Sequence, residues 1–212
     1  MIVIINPNST VSMTDGMLAT AKRVAPQEHV VAWTSHDGPA AIEGPEDGAA
    51  CVPPLLDLVK KAVEDGAGAI IIGCSDDTGL EAAREIAHCP VIGIGQAAYH
   101  LAVLAGARFS VVTTLPVSVP VLADNIKAYG LAPKLGAVRA SGVAVLDLEN
   151  DPETATARVL DEVRIAQAED GVQSVVLGCA GMTDIPAHAP PELTVRLIDG
   201  VTAAVKVAAA LQ

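Results

Sequence analysis

Two stretches of the chain read alike: EDGAGAIIIGCSDDTGL at residues 64–80 and EDGVQSVVLGCAGMTD at residues 169–184. Each passes from an acidic-acidic-Gly turn through a short apolar run into Gly-Cys and a loop of small or polar residues. Runs as continuously apolar as AIII and SVVL mark strands buried on both faces, as in a parallel sheet covered by helices. The offset between the two stretches is 105 residues, about half of the 212 in the chain. The match extends outward. Cys74 stands 21 residues before Gly95, which follows the strand VIGI, and Cys179 stands 21 before Gly200, which follows RLID. At close to the same offset the opening IVIINPN falls on RFSVVTT, again a strand entering a polar loop. Several coincidences in register imply two pseudo-equivalent halves.

The same alternation continues along the chain. Strands are predicted at 2–6, 29–34, 69–73, 91–94, 109–113, 135–139, 174–178 and 194–198, and helices at 11–25, 46–65, 79–88, 96–106, 117–129, 153–169 and 199–211. Alternating strands and helices give α/β layers joined by right-handed crossovers. In such sheets ligands bind at the carboxyl ends of the strands, where loops lead into helix N-termini. No linker rich in Pro, Ser or charge separates the halves, so closely packed lobes are expected.

Composition excludes several classes of function. Half the residues (51%) are hydrophobic and 18% are charged, which describes a packed globule and not a disordered chain. Lys and Arg number 13 against 25 Asp and Glu, a net charge of −12 that repels both a phosphate backbone and an anionic membrane surface. Trp33, Tyr99, Phe109 and Tyr129 are the only aromatic residues, too few for a base-stacking platform. No run approaches the ~18 apolar residues of a membrane helix. The opening MIVIINPNST lacks a basic leader segment and reads as a first core strand. Reduced cysteines and a cytoplasmic location are therefore expected, with a small molecule as the partner.

Cys74 and Cys179 carry the chemistry. A thiol between a buried strand and a helix start faces unpaired backbone N–H groups and their partial positive charge. An ordinary thiol with a pKa of ~8.5 is only about 3% thiolate at pH 7. A helix N-terminus with two hydrogen bonds is expected to lower that pKa by about one unit, worth ~1.4 kcal/mol. One such thiol suits a nucleophile or a base. Two in symmetric positions suit removal of a proton from one face of a carbon and delivery of a proton to the other. Free cysteines are usually buried small hydrophobes, and that reading is kept for Cys51, in an apolar helical start, and for Cys89, before Pro90.

INPNST at the start, GCSDDTGL and VVLGCAGM together resemble the aspartate/glutamate/hydantoin racemase superfamily, closest to its hydantoin racemase branch. The resemblance covers nearly the whole chain. It implies two pseudo-symmetric Rossmann-like (flavodoxin-like) lobes, each with a mostly parallel sheet flanked by helices. The expected division is 1–96 with 200–212 as the first lobe and 97–199 as the second, with the active site in the cleft between them. It also implies a cofactor-independent two-base mechanism with Cys74 and Cys179 on opposite faces of the substrate carbon, and a homo-oligomer. Asn8 matches the polar residue of the opening motif that reaches substrate in relatives. Thr113 and Thr114 match the Thr-rich loop after the fifth strand. Ser75, Ala180 and Gly181 match positions whose backbone N–H groups hold substrate oxygens. The chain departs from the pattern where hydantoin racemases commonly carry an aromatic residue after the first Cys and Asp-Pro-Gly-Leu further on. Here Ser75 follows Cys74, and Asp77-Thr78-Gly79-Leu80 stands for the rest. Loss of the ring favours small or polar substituents on the substrate.

Other polar residues have local readings. NPNST is also a turn with Ser9 or Thr10 placed to cap the helix from Val11. Asp76 and Asp77 read as helix caps or as a carboxylate pair. The five histidines show no metal-ligand spacing, so no metal is expected. GIGQAA at 93–98 lacks the full dinucleotide fingerprint, and no GxSxG elbow occurs. The leading reading is a racemase acting beside a carbonyl, on a hydantoin substituted at carbon 5 or an allantoin-like ureide. No Lys or Arg lies in the loops after Asn6, Gly73, Val112 or Gly178, which favours a neutral ring over a free amino acid. The alternatives are an aspartate or glutamate racemase, an enzyme like maleate isomerase or arylmalonate decarboxylase, and a two-lobed small-molecule binding module.

Overall fold

A computed structural model describes residues 1–211. The first sheet contains β1 (Ile2–Asn6), β2 (Val30–Thr34), β3 (Ala69–Ile72) and β4 (Val91–Gly93), all parallel, in the order β2-β1-β3-β4. The second contains β5 (Phe109–Thr113), β6 (Leu135–Ala140), β7 (Ser174–Leu177) and β8 (Arg196–Asp199), also parallel, in the order β6-β5-β7-β8. The two halves thus share one topology, the flavodoxin-like beginning of a doubly wound sheet. The central strands of both sheets are buried throughout, as their apolar runs require.

The covering helices are α1 (Val11–Val24), α2 (Pro45–Glu64), α3 (Leu80–Ile86), α4 (Ile94–Ala105), α5 (Val119–Ala128), α6 (Asp147–Asn150), α7 (Pro152–Glu169) and α8 (Gly200–Leu211). Only α6 and four short 3-10 turns go beyond the elements expected from sequence. The acidic-acidic-Gly turns end α2 and α7. Gly66 and Gly171 adopt φ of 77° and 62°, the left-handed conformation that glycine enters without a Cβ penalty. After α2 the Gly66 N–H bonds to Val63 and the Ala67 N–H to Ala62, which closes the helix and aims the chain into β3.

Two helices join the sheets. α8 packs on β1, β3 and β4, α4 packs on β5, β7 and β8, and the two helices pack on each other. One continuous core therefore runs from Ile4 and Ile71 of the first sheet, through Ala98 and Ala204, to Val111 and Val176 of the second. Tyr99 and Phe109 stack within it at 6.0 Å between ring centres. Truncating Phe109 to Ala would cost about 3–5 kcal/mol. Among the described residues no helix is long and apolar enough to cross a membrane.

Candidate active site

In each sheet the strand order reverses between its two central strands, so loops leave β1 and β3, and β5 and β7, on either side of a crevice. The same hydrogen bond sets both cysteine loops. Gly73 N–H donates to the Ile5 carbonyl and Gly178 N–H to the Val112 carbonyl, each at 2.8 Å. A Cβ on Gly73 would meet the Met17 sulfur at 2.7 Å, so glycine lets this strand end run close beneath α1. The ladders also refine the repeat. Ile5 lies opposite Ile72 and Val112 opposite Leu177, so Asn6, and not Pro7, is the equivalent of Thr113.

The four loops enclose one small cavity of about 30 Å³, room for about two water molecules. Cys74 and Cys179 both line it, together with Asn8, Ser75, Thr113, Thr114 and Ala180. Both cysteines keep part of their surface accessible. Gly181 does not line the cavity; its backbone N–H works to lower the Cys179 pKa, as the Asp76 N–H does that of Cys74. Ile42, Val145 and Ser118 also line the cavity, from loops that precede α2, follow β6 and enter α5. No motif marked these three, because their loops meet the site only through the packing of the two lobes. Glu43, beside Ile42, accepts a 2.6 Å hydrogen bond from the Val145 backbone N–H and so closes one loop onto the other across the cavity.

Several side chains work within the loops. Asn8 Oδ1 accepts from Asn6 Nδ2 and from the Thr10 backbone N–H, both at 2.9 Å, leaving its Nδ2 beside the Met13 sulfur. The expected Ser9 or Thr10 cap is not formed; the Thr10 hydroxyl donates instead to the Ala40 carbonyl. Thr113 Oγ1 donates to the Gly178 carbonyl at 3.1 Å and links the β5 and β7 ends. Thr114 is buried and its hydroxyl makes no hydrogen bond within the protein. Asp77 does cap a helix, though not its own: its carboxylate accepts from Gly95 N–H at 3.0 Å and Gln96 N–H at 2.7 Å in the first turn of α4. Asp76 caps nothing, and its carboxylate has no partner. Its carbonyl accepts from Asn125 of α5 at 2.7 Å.

The electrostatics depart from the expectation of acidified thiols. Burial, reinforced by the neighbouring Asp76 charge, holds Cys74 well above the usual thiol range despite the Asp76 N–H. Burial likewise pushes Cys179 up to about 12, opposed by the Gly181 N–H, with Asp76, Glu149 and Glu43 adding to the rise. Loss of water outweighs the loop N–H groups, and no Lys or Arg lines the cavity to offset it. Burial also lifts Asp76 to about 6. Cys51 is fully buried and donates to the Gly48 carbonyl, a structural position, while Cys89 sits away from the cavity. Among the described residues no group of His, Cys, Asp or Glu has the arrangement of a metal site.

Two pseudo-equivalent parallel-sheet lobes, closed around one cavity at their strand ends, have the layout of an α/β enzyme that acts on a small molecule. The comparisons specify it further. A family model for Asp/Glu/hydantoin racemase matches residues 2–208, and the chain belongs to that family. It is 48% identical to hydantoin racemase of Rhizobium meliloti, over 98% of this chain and 87% of that protein. It is 40% identical to hydantoin racemase of a Pseudomonas species, over 98% of this chain and 84% of that one. The solved structure of allantoin racemase from Klebsiella pneumoniae superposes with a TM-score of 0.95 at 37% identity, covering 99% of this chain and 86% of that chain.

Proposed function

We propose that the protein racemises a hydantoin substituted at carbon 5, or an allantoin-like ureide, with Cys74 and Cys179 as a cofactor-independent acid/base pair. One observation carries this reading: equivalent strand ends of the two sheets deliver one cysteine each into a single cavity. A substrate carbon held between them has one sulfur on each face. One thiolate takes the Cα proton while the opposite thiol donates, and the roles exchange for the other enantiomer. The developing enolate oxygen needs donors aimed at it. Loop N–H groups around Ser75 and Ala180 and the hydroxyl of Thr114, all from residues lining the cavity, are the donors assigned to that work.

Both thiols lie above the usual range, so the base must be generated as substrate seats in the cavity. No Lys or Arg lines that cavity, which supports a neutral cyclic diamide over a free amino acid carrying a carboxylate. The names of the relatives at 48% and 37% identity support the same substrate class. The test is incubation of single enantiomers of hydantoins, allantoin, aspartate and glutamate in D₂O, following optical rotation and deuterium uptake. Racemisation with exchange of the hydantoins or allantoin is the expected result. Faster exchange of aspartate or glutamate at matched concentration would move the enzyme to the amino-acid branch.

A further inference from the structure

Asp76 is the one charged side chain lining the reactive cavity, and it also lines a wider adjoining pocket of about 690 Å³. It is the one residue common to the linings of the two, and Val117 and Asp124 line the outer pocket with it. Asp76 is half-buried, and a carboxylate stripped of much of its water is normally paired or hydrogen-bonded. The Asp76 carboxylate has neither an ion pair nor a hydrogen bond, although its immediate neighbour Asp77 has three donors. No Lys or Arg lines either pocket. The charges felt by the two thiols from this region, Asp76, Glu43 and Glu149, are all negative.

Resting on the racemase reading, we infer that Asp76 selects substrate charge: its unpaired carboxylate is the counter-ion for a positively charged group on the substituent at carbon 5. The ring carbon would lie between Cys74 and Cys179, with the substituent passing Asp76 into the wider pocket. A cationic amine there pairs the carboxylate and replaces the water it loses on burial. It also offsets the charge that opposes thiolate formation, since Asp76 raises both Cys74 and Cys179. One contact thus improves binding and arms the base. An anionic substituent meets Asp76 with the opposite sign on both counts.

The experiment compares three hydantoins of similar reach, carrying aminobutyl, pentyl and carboxyethyl groups at carbon 5, as single enantiomers with the wild-type enzyme and Asp76→Asn. The wild type should prefer aminobutyl over pentyl by about tenfold or more in kcat/KM, the scale of one hydrogen bond to a charged group, with carboxyethyl last. In Asp76→Asn that preference should fall about tenfold, and the rate on the pentyl compound should rise. Circular dichroism checks that the variant is folded, and the wild-type series decides the matter alone if it is not. Racemisation of the pentyl compound with no preference for aminobutyl would overturn the charge assignment and leave the racemase reading standing. Absence of racemisation and deuterium exchange for every hydantoin and for allantoin would overturn both.

Discussion

The hydroxyl of Tyr129, at the end of α5 in the second half, donates a 2.8 Å hydrogen bond to the carboxylate of Asp77, three residues after Cys74 in the first. The same carboxylate holds the first turn of α4, so Asp77 fixes the Cys74 loop against two other elements at once. Its φ of 50° is one that few non-glycine residues adopt, and Asp and Asn adopt it more readily than most. A Cβ on Gly95 would fall 2.3 Å from the Ser75 carbonyl, which shows how closely α4 approaches this loop.

Tyr129→Phe should therefore cost about 1 kcal/mol of stability, with a larger proportional loss in kcat than in KM as the thiol loses its position. Asp77→Ala should cost about 2–3 kcal/mol, because it removes a helix cap and places a residue less suited to positive φ. Denaturant melts and steady-state rates on one hydantoin measure both effects. Unchanged melting of Asp77→Ala would show that the loop is held by something else.

The fold was legible in the sequence because its signals are local and redundant. Short Val/Ile runs, turns at Gly66 and Gly171, and a repeat in register left few alternatives for eight strands and seven helices. The candidate site was legible only where it sits at strand ends. Thr113 ends a central strand, Cys74, Cys179, Asn8, Ser75, Thr114 and Ala180 follow one, and all seven line the cavity. Ile42, Ser118 and Val145 reach it from loops whose course is set by tertiary packing, and no pattern of neighbouring residues encodes that. The thiol electrostatics are not legible in the sequence for a related reason. Proximity to a helix start can be read from order along the chain, whereas enclosure and the unpaired charge of Asp76 cannot.

Raised thiol pKa values have a consequence for stability. The folded protein keeps protons on Cys74 and Cys179 that the unfolded chain releases above pH ~9. Stability should accordingly fall as pH rises from about 9 towards 12, the folded value of Cys179. Denaturation midpoints at pH 8 and pH 10.5 should separate more for the wild type than for Cys179→Ser. Equal separations would mean that Cys179 ionises as freely in the folded protein as in the unfolded chain.

Asp170 gives the opposite limb. Arg139 donates to it from β6 and Ser110 from β5, at 2.9 Å and 2.6 Å, which holds its carboxyl below the usual carboxylate range. Its contribution is fully present above the ordinary unfolded value of about 4 and is lost as pH falls through the lower folded value. Asp170→Asn should cost about 3 kcal/mol at neutral pH by leaving Arg139 partly unpaired, and should flatten the acid limb of the stability profile. A variant with the wild-type acid limb would assign that limb to other carboxylates.

The hydrogen bond from Val145 N–H to Glu43 closes two loops over a cavity of about 30 Å³, too small for a hydantoin ring unless those loops part. Glu43→Ala should lower kcat/KM about tenfold, the scale of one charge-assisted hydrogen bond, with little change in melting temperature. Glu43→Gln, which keeps an acceptor, should recover most of the loss. Equal rates for the wild type and Glu43→Ala would indicate that closure does not depend on this contact.

The paired thiols give the most direct prediction. In a two-base site neither cysteine can stand in for the other, because each reaches one face of the carbon. Serine is no substitute either, since its hydroxyl is a far weaker acid and its alkoxide is inaccessible near neutral pH. Cys74→Ser and Cys179→Ser should each lose racemisation by about 10³-fold or more, in the upper part of the 10²–10⁴-fold range typical of losing one acid/base group, because both transfers suffer. Each single variant should nonetheless retain some exchange of one enantiomer with D₂O, and the two variants should favour opposite enantiomers. Cys51→Ser, whose hydroxyl can still donate to Gly48, and Cys89→Ser should keep most activity. Iodoacetamide should inactivate the wild type slowly at pH 7 and faster as pH rises, with substrate protecting, and prolonged EDTA should leave the rate unchanged. Wild-type racemisation by either Cys74→Ser or Cys179→Ser would reject the two-thiol mechanism, because a mechanism that survives loss of one face's acid or base needs only one of them.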